Sequence, residues 1–177
     1  MRQTNYANPH GLADRSNHST ALELAYLANY AMRNPMFREI VNTKSFTTIN
    51  FVPLQRCKRL PNYNFETWRL YDGRDIPFIH GNVQYVQFYQ TWYNSNKLLE
   101  LPGFCGVKTG QTLTAGSCLA IYYKSPVIDR HLVTVVLGSK SVEYRWKDTR
   151  RLTLWAEAIL IQDDKTRGPS PTKNVRN

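Results

Sequence analysis

A lysine, a threonine and a glycine stand side by side as Lys108, Thr109 and Gly110, and a second threonine follows at Thr112. On a β-strand alternate residues share a face, so Lys108, Gly110 and Thr112 are predicted to point the same way. An ammonium group attracts a carboxylate, a hydroxyl donates or accepts as needed, and a glycine lets another backbone approach closely. The pattern indicates a strand that can hold the carboxyl end of a peptide by β-augmentation. The alternative is an ordinary exposed lysine on a hairpin.

Three strands are predicted around this motif, at about residues 106–113, 117–123 and 131–137, where β-branched and aromatic residues are frequent. Turn residues separate these strands, so we expect an antiparallel meander. Asp148 is predicted to cap a final helix in which Leu152, Trp155 and Ile159 share one face.

Two helices are predicted before the meander. Thr20 and Glu23 have the spacing of a capping box, in which each residue satisfies a backbone N–H of the other. Asn34 and Pro35 end that helix and begin a second one, since asparagine is a good cap and proline is tolerated in a first turn. Residues 48–52 read as a strand, and the aromatic-rich stretch up to residue 92 is predicted to be an excursion of further β-structure.

Composition indicates a globular chain. It has 177 residues, 42% of them hydrophobic, and a formal net charge of +10. No apolar run approaches the roughly 20 residues that span a bilayer, and the first residues do not read as a secretory signal. The cysteines and histidines show no metal-ligand spacing, so no metal site is predicted; they are Cys57, Cys105, Cys118, His10, His18, His80 and His131. The basic surface would favour an anionic partner, but dispersed charges are more typical of a solvated surface, and nucleic acid is not the expected partner.

Several segments, in order, resemble the serine-type D-alanyl-D-alanine carboxypeptidases, the low-molecular-mass penicillin-binding proteins, over the C-terminal half of their catalytic domain. The similar segments are Asn-Pro-His-Gly-Leu at 8–12, Ser-Thr-Ala at 19–21, residues 34–44, Asn-Lys-Leu-Leu at 96–99, the Lys-Thr-Gly block at 106–119, Val-Val-Leu-Gly at 135–138 and Asp-Thr-Arg-Arg-Leu at 148–152.

The resemblance implies an α+β fold, a partial β-lactamase-like or D,D-peptidase-like arrangement of a helical cluster, an antiparallel sheet and a C-terminal helix. It implies hydrolysis of a terminal D-Ala-D-Ala bond through an acyl-serine, without a metal or other cofactor, and binding of β-lactams. Lys108 would take the catalytic role. Thr109, Gly110, Thr112 and Arg145 would bind the substrate, Arg145 through its terminal carboxylate. The loop of His10 would be structural.

The resemblance also divides the chain. Residues 1–162 are predicted to be the C-terminal part of the catalytic domain, with 53–92 as an insertion that the family does not usually have. Residues 163–177 are predicted to be a disordered basic tail.

The family's nucleophile is a serine with a lysine three residues later, and this chain offers such a spacing only at Ser170 and Lys173, beside Pro171 in the tail. We regard that match as chance. One hypothesis is therefore a fragment of an active peptidase, inert alone, whose partner is a missing N-terminal half. The other is a pseudoenzyme that binds an anionic partner. Without the other half, the Lys108 strand would be an exposed edge, and we expect poor solubility.

Overall fold

A computed structural model describes residues 1–12, 14–53, 78–80 and 83–167. In chain order the elements are α1 (Ala21–Ala31), α2 (Pro35–Asn42), β1 (Ser45–Pro53), β2 (Phe78–His80), β3 (Val83–Tyr93), a 3-10 helix (Lys97–Glu100), β4 (Phe104–Thr112), β5 (Gly116–Lys124), β6 (His131–Ser139) and α3 (Val142–Arg167). They form two compact units, one of Met1–Thr43 with Ser95–Asn177 and one of Lys44–Asn94. The α+β class predicted from the sequence is confirmed. No helix in the described ranges is long and apolar enough to cross a bilayer.

Helix α1 begins at the predicted cap, because the Thr20 hydroxyl accepts the N–H of Glu23 at 3.2 Å. The other half of the predicted capping box is wrong. The Glu23 carboxylate accepts from the N–H of Gln3 (3.0 Å) and from the hydroxyl of Thr4 (2.5 Å) instead. The Thr4 hydrogen bond is the main reason that the pKa of Glu23 lies below its ordinary value. Glu23 thus fastens the N-terminal segment to α1.

Helix α2 begins as predicted, with the side-chain oxygen of Asn34 accepting the N–H of Phe37 at 3.2 Å and Pro35 in the first turn. At its other end, the Asn42 side chain accepts the N–H of Gly106 at 2.8 Å. This bond covers one point on the outer edge of β4.

Strands β4, β5 and β6 form the predicted antiparallel meander, in the order β4-β5-β6. Buried residues of this sheet and Leu98 of the 3-10 helix form the main core, against which Leu101, Leu132 and Trp146 pack. The core residues of the sheet are Phe104, Leu119, Ile121 and Tyr123. Because β4 lies at the edge of the sheet, one side of the strand that carries Lys108 has no strand partner among the described residues.

Helix α3 starts earlier than the sequence predicts. The Ser141 hydroxyl accepts the N–H of Tyr144 at 3.2 Å, and the Ser141 carbonyl accepts the N–H of Arg145 at 3.0 Å, so Ser141 is the N-cap. The prediction that Asp148 caps this helix is wrong. Asp148 lies in the second turn, where its carboxylate accepts from the Ser139 hydroxyl at 3.3 Å.

The same helix ends later than predicted. It continues to Arg167, so residues 163–167 are helical and do not belong to a disordered tail. The remainder of the predicted tail, residues 168–177, lies outside the described residues, as do 54–77 of the predicted insertion.

Helix α3 is fastened to the sheet by a buried carboxylate. Glu157 accepts from the Tyr123 hydroxyl at 3.0 Å and from the Ser125 hydroxyl at 2.5 Å. Burial, and next the hydrogen bond to Glu157, raise the pKa of Tyr123 to about 12. The tyrosine therefore stays neutral over the physiological range, and the pair joins strand to helix.

The second unit is a three-stranded antiparallel sheet in the order β1-β3-β2. Strands β1 and β3 pair without interruption from Ser45 opposite Tyr93 to Pro53 opposite Tyr85. The described part of the predicted β excursion is therefore β-structure.

Candidate substrate-binding site

The candidate site lies on strand β4, where the register decides which side chains meet. Lys108 pairs with Ala120, Gly110 with Cys118, and Thr112 with Gly116, with no irregularity between them. Paired residues of an antiparallel sheet point to the same face. Lys108, Gly110 and Thr112 therefore share one face, as the sequence predicts.

That face borders a cavity of about 1000 Å³. Its walls are mostly apolar side chains from α1, α2 and β6, among them Leu24, Leu27, Phe37, Val135 and Leu137. All the residues predicted to bind or act on substrate also line it: Lys108, Thr109, Gly110, Thr112 and Arg145. The structure thus brings the predicted set together at one cavity.

Lys108 is exposed on this edge, and its ammonium group donates to the carbonyl oxygen of Thr109. No carboxylate in the described chain forms an ion pair with it. A surface ammonium of this kind can turn to an incoming anion at little cost, since its present partner is a neutral carbonyl.

The hydroxyl of Thr109 lies 2.8 Å from that of Ser95, which also lines the cavity. The two hydroxyls share a hydrogen bond, and either can be the donor. Ser95 was missed by the sequence analysis. It directly precedes the Asn-Lys-Leu-Leu segment, and that position is the signal that could have revealed it.

Two glycines of β4 have different reasons to be glycine. A Cβ on Gly106 would lie 2.0 Å from the carbonyl oxygen of Val41, so α2 can pack here only against a glycine. A Cβ on Gly110 would meet nothing closer than the Cβ of Cys118, at 3.9 Å. The space over Gly110 is therefore open to a ligand, whereas Gly106 is required by the fold.

Thr112 has a structural partner. Its hydroxyl oxygen accepts the N–H of Ala115 at 3.0 Å and lies 3.2 Å from the hydroxyl oxygen of Thr114. It closes the turn between β4 and β5 at the far end of the site.

Arg145 extends from the first turn of α3 to the sheet and is 5% exposed. One terminal nitrogen, Nη1, donates to the carbonyls of Gly110 (3.0 Å) and Cys118 (3.3 Å), and the guanidinium lies over the Trp146 ring, 4.3 Å from its centroid. Its Nε is buried with no hydrogen-bond partner in the described chain. Burial lowers the pKa of Arg145, although an arginine keeps its charge in a protein.

His10 also borders the cavity, and its Nδ1 accepts the N–H of Leu12 at 3.1 Å. This bond closes its own loop, which agrees with a structural role. No group of three His, Cys, Asp or Glu residues within the described ranges is placed to hold a metal ion.

The chain is similar to known proteins in sequence and in fold. No family model matches the chain. A curated D-alanyl-D-alanine carboxypeptidase from Streptomyces sp. strain K15 is 24% identical over 160 residues, which are 90% of this chain and 44% of that protein. The crystal structure of the Streptomyces K15 D,D-transpeptidase superposes with a TM-score of 0.63 at 24% identity, over 88% of this chain and 48% of that one. That of the D-alanyl-D-alanine carboxypeptidase DacD from Francisella tularensis gives 0.65 at 25% identity, over 86% and 40%.

These matches define a protein with the β-lactamase-like fold of the D,D-peptidases. The resemblance predicted from the sequence is confirmed: the chain is similar to the D-alanyl-D-alanine carboxypeptidases in sequence and in fold. It spans less than half the length of the relatives that it matches.

Proposed function

We propose that this chain forms the substrate-binding side of a serine D,D-carboxypeptidase site, for peptides that end in D-Ala-D-Ala. The observation that carries the proposal is the common face of Lys108, Gly110 and Thr112 on an edge strand beside an open cavity. A peptide can add to such an edge as a further strand, with its side chains over the open space at Gly110.

Three of the predicted residues have distinct tasks in this proposal. Lys108 supplies positive charge for the substrate carboxylate and for the reacting centre. The Thr109 hydroxyl, oriented by Ser95, donates to the same carboxylate. Arg145 acts from behind the strand, where its Nη1 atom donates to the Gly110 carbonyl and its charge favours an anion near Gly110.

The nucleophile is proposed to come from another segment. The single Ser-x-x-Lys of the sequence, at Ser170 and Lys173, lies outside the described residues and next to Pro171. A serine nucleophile needs a base held within hydrogen-bond reach in a partly buried site, and the described cavity offers no such serine and base pair. We therefore expect the 177 residues alone to bind substrate weakly and to hydrolyse nothing.

The N-terminal half of a D,D-carboxypeptidase domain is the proposed partner. One apolar wall of the cavity is formed by Leu27, Val135 and Leu137, and these side chains are partly exposed to solvent. Burying such surface stabilises an added helix by roughly 25 cal/mol per Å². An apolar helix that carries the serine would pack against this wall and bring the hydroxyl near Lys108, with the space over Gly110 left to the substrate.

The test has two arms. In the first, the full chain is titrated by NMR with an N-acetylated peptide ending in D-Ala-D-Ala and with its L-Ala-L-Ala counterpart. We expect shifts at residues 108–112 with the D,D peptide only. Lys108→Ala should abolish them, and Lys140→Ala, an exposed lysine beyond β6, should not. The proposed site would be excluded if both peptides bound equally, or if the Lys108→Ala variant bound the D,D peptide as well as the unsubstituted chain does.

In the second arm the chain is incubated with a fluorescent penicillin and with the D,D peptide. No covalent label and no released D-alanine are expected. Label on the chain alone would show that a nucleophile is present and that the predicted inactivity is wrong. The binding site would then still be tested by the first arm.

A further inference from the structure

A row of three side chains crosses the β4-β5-β6 sheet on its cavity side. Lys108 on β4 pairs with Ala120 on β5, and Ala120 pairs with Val135 on β6. Paired residues share a face, and all three residues line the cavity. Because neighbouring strands lie roughly 4.8 Å apart, the row is roughly 10 Å long. It therefore leads from an ammonium group at the edge of the sheet to an aliphatic side chain on the far strand.

The walls at the far end of this row keep apolar surface in contact with water. Leu137 of β6 and Leu27 of α1 line the cavity and are 41% and 40% exposed. Leu24 and Phe37 also line it and are half-buried. A ligand that covered these side chains would be stabilised in proportion to the apolar area that it removes from water.

The charged side chains of the cavity are cationic. Lys108 and Arg145 line it, and its described lining includes no Asp or Glu. Arg145 is buried, whereas the Lys108 ammonium group is exposed and donates to the neutral carbonyl of Thr109. An anionic group can therefore approach Lys108 without passing a carboxylate of the described lining.

We propose that the cavity binds amphiphilic monocarboxylates, with the carboxylate at Lys108 and an apolar chain that passes over Ala120 to Val135 and Leu137. Sites for small molecules are typically apolar with a few polar groups, and about 1000 Å³ is a volume typical of such sites. A short polar anion would leave the aliphatic walls uncovered, and a cationic amphiphile would be repelled by Lys108. The charge and the walls thus select the same class of ligand.

This ligand class is distinct from peptides that end in D-Ala-D-Ala, and its binding needs neither a peptide bond nor a nucleophile. It uses Lys108, which the peptide would also use, and the apolar wall that an added N-terminal segment would cover. An amphiphilic carboxylate is therefore expected to compete with both.

The experiment titrates the full chain with acetate, butyrate, hexanoate and octanoate by calorimetry, below the concentration at which octanoate forms micelles. We expect the dissociation constant to fall by about threefold for each added methylene group, since each one is buried against the walls. Octylamine and octanamide have the same chain length without the negative charge. Each should bind at least about tenfold more weakly than octanoate.

Two pairs of variants locate the head and the chain of the ligand. Lys108→Ala should weaken octanoate binding by about tenfold, and Lys140→Ala, at an exposed position beyond β6, by less than about twofold. Ala120→Leu places a larger side chain in the middle of the row and should weaken binding by about tenfold or more. Ala158→Leu, at an exposed position of α3, should leave it unchanged. Thermal unfolding verifies that each variant is folded.

Several results would overturn the inference. Equal affinities for octanoate and octanamide, or equal losses in Lys108→Ala and Lys140→Ala, would show that Lys108 does not hold the carboxylate. Equal affinities for acetate and octanoate would show that the walls do not hold the chain. If octanoate failed to bind while the D,D peptide still shifted residues 108–112, this inference would be wrong and the proposed function would stand. Octanoate binding without peptide binding would indicate the reverse.

Discussion

The Nη1 atom of Arg145 lies 3.0 Å from the carbonyl oxygen of Gly110, so the first turn of α3 is hydrogen-bonded to the strand that carries the Lys-Thr-Gly motif. A second bond to Cys118 extends this contact to β5. The guanidinium that is predicted to attract the substrate carboxylate therefore also holds β4 and β5 in place through these hydrogen bonds.

Arg145→Ala should lower the free energy of unfolding by about 3 kcal/mol, because it removes charge-assisted hydrogen bonds and leaves a void beside Trp146. Arg150→Ala, on an exposed position of the same helix, should cost less than about 0.5 kcal/mol. Urea unfolding measures both. Equal effects of the two substitutions would show that the Gly110 contact contributes nothing.

Gly106→Ala and Gly110→Ala provide a direct comparison on one strand. The first places a Cβ 2.0 Å from the Val41 carbonyl, and we expect a loss of about 2 kcal/mol or more in the free energy of unfolding. The second meets only Cys118 at 3.9 Å and should change it by less than about 1 kcal/mol. Thermal unfolding of the two variants is the measurement, and a Gly110→Ala protein that is the less stable of the two would contradict the prediction.

Ser141→Ala tests where α3 begins. Loss of the cap should cost about 1 kcal/mol, while Ser141→Gly should cost only a few tenths. Asp148→Ala removes one contact to Ser139 and should cost about 0.5 kcal/mol. Denaturant unfolding followed by circular dichroism ranks the three. A larger loss of stability for Asp148→Ala than for Ser141→Ala would indicate that Asp148, the residue predicted from the sequence, is the N-cap.

Tyr123 predicts a pH dependence at the alkaline end. Its folded pKa of about 12 lies above the unfolded value near 10, so the folded chain keeps a proton that the unfolded chain loses. This contribution is complete below pH 10 and disappears between about pH 10 and pH 12, with a slope of at most about 1.4 kcal/mol per pH unit.

Tyr123→Phe should lose that part of the slope, and should be less stable at pH 7 by about 1 kcal/mol because the bond to Glu157 is gone. The free energy of unfolding measured from pH 9 to 12 decides the matter. Parallel curves for the two proteins would show that Tyr123 does not titrate abnormally.

Local patterns made much of this fold predictable. The cap at Thr20, the start at Asn34 and Pro35, and the meander follow from short-range chemistry, which a single sequence displays. The common face of Lys108 and Thr112 follows from alternation alone, because the strand is regular between them.

Two of the misses have a common cause. Glu23 turns to Gln3 and Thr4, and Ser95 meets Thr109, through contacts between residues far apart in the chain. Local spacing does not show which distant residue such a side chain contacts, although the position of Ser95 before the Asn-Lys-Leu-Leu segment marks it as a candidate. The early start of α3 was missed for a smaller reason: Ser141 and Asp148 are both good caps, and only the backbone shows which one is used.

The register shift between Gly106 and Lys108 has a further effect on the site. Phe104 and Lys108 are four residues apart, and in an unbroken strand they would lie on one side. Because Val107 is the additional residue of a bulge, Phe104 packs into the core opposite Tyr123 while Lys108 reaches the cavity. Without this bulge, either the Lys108 ammonium group would be buried in the apolar core or the Phe104 ring would be exposed to solvent. The bulge is thus the means by which one short strand serves both the interior and the ligand.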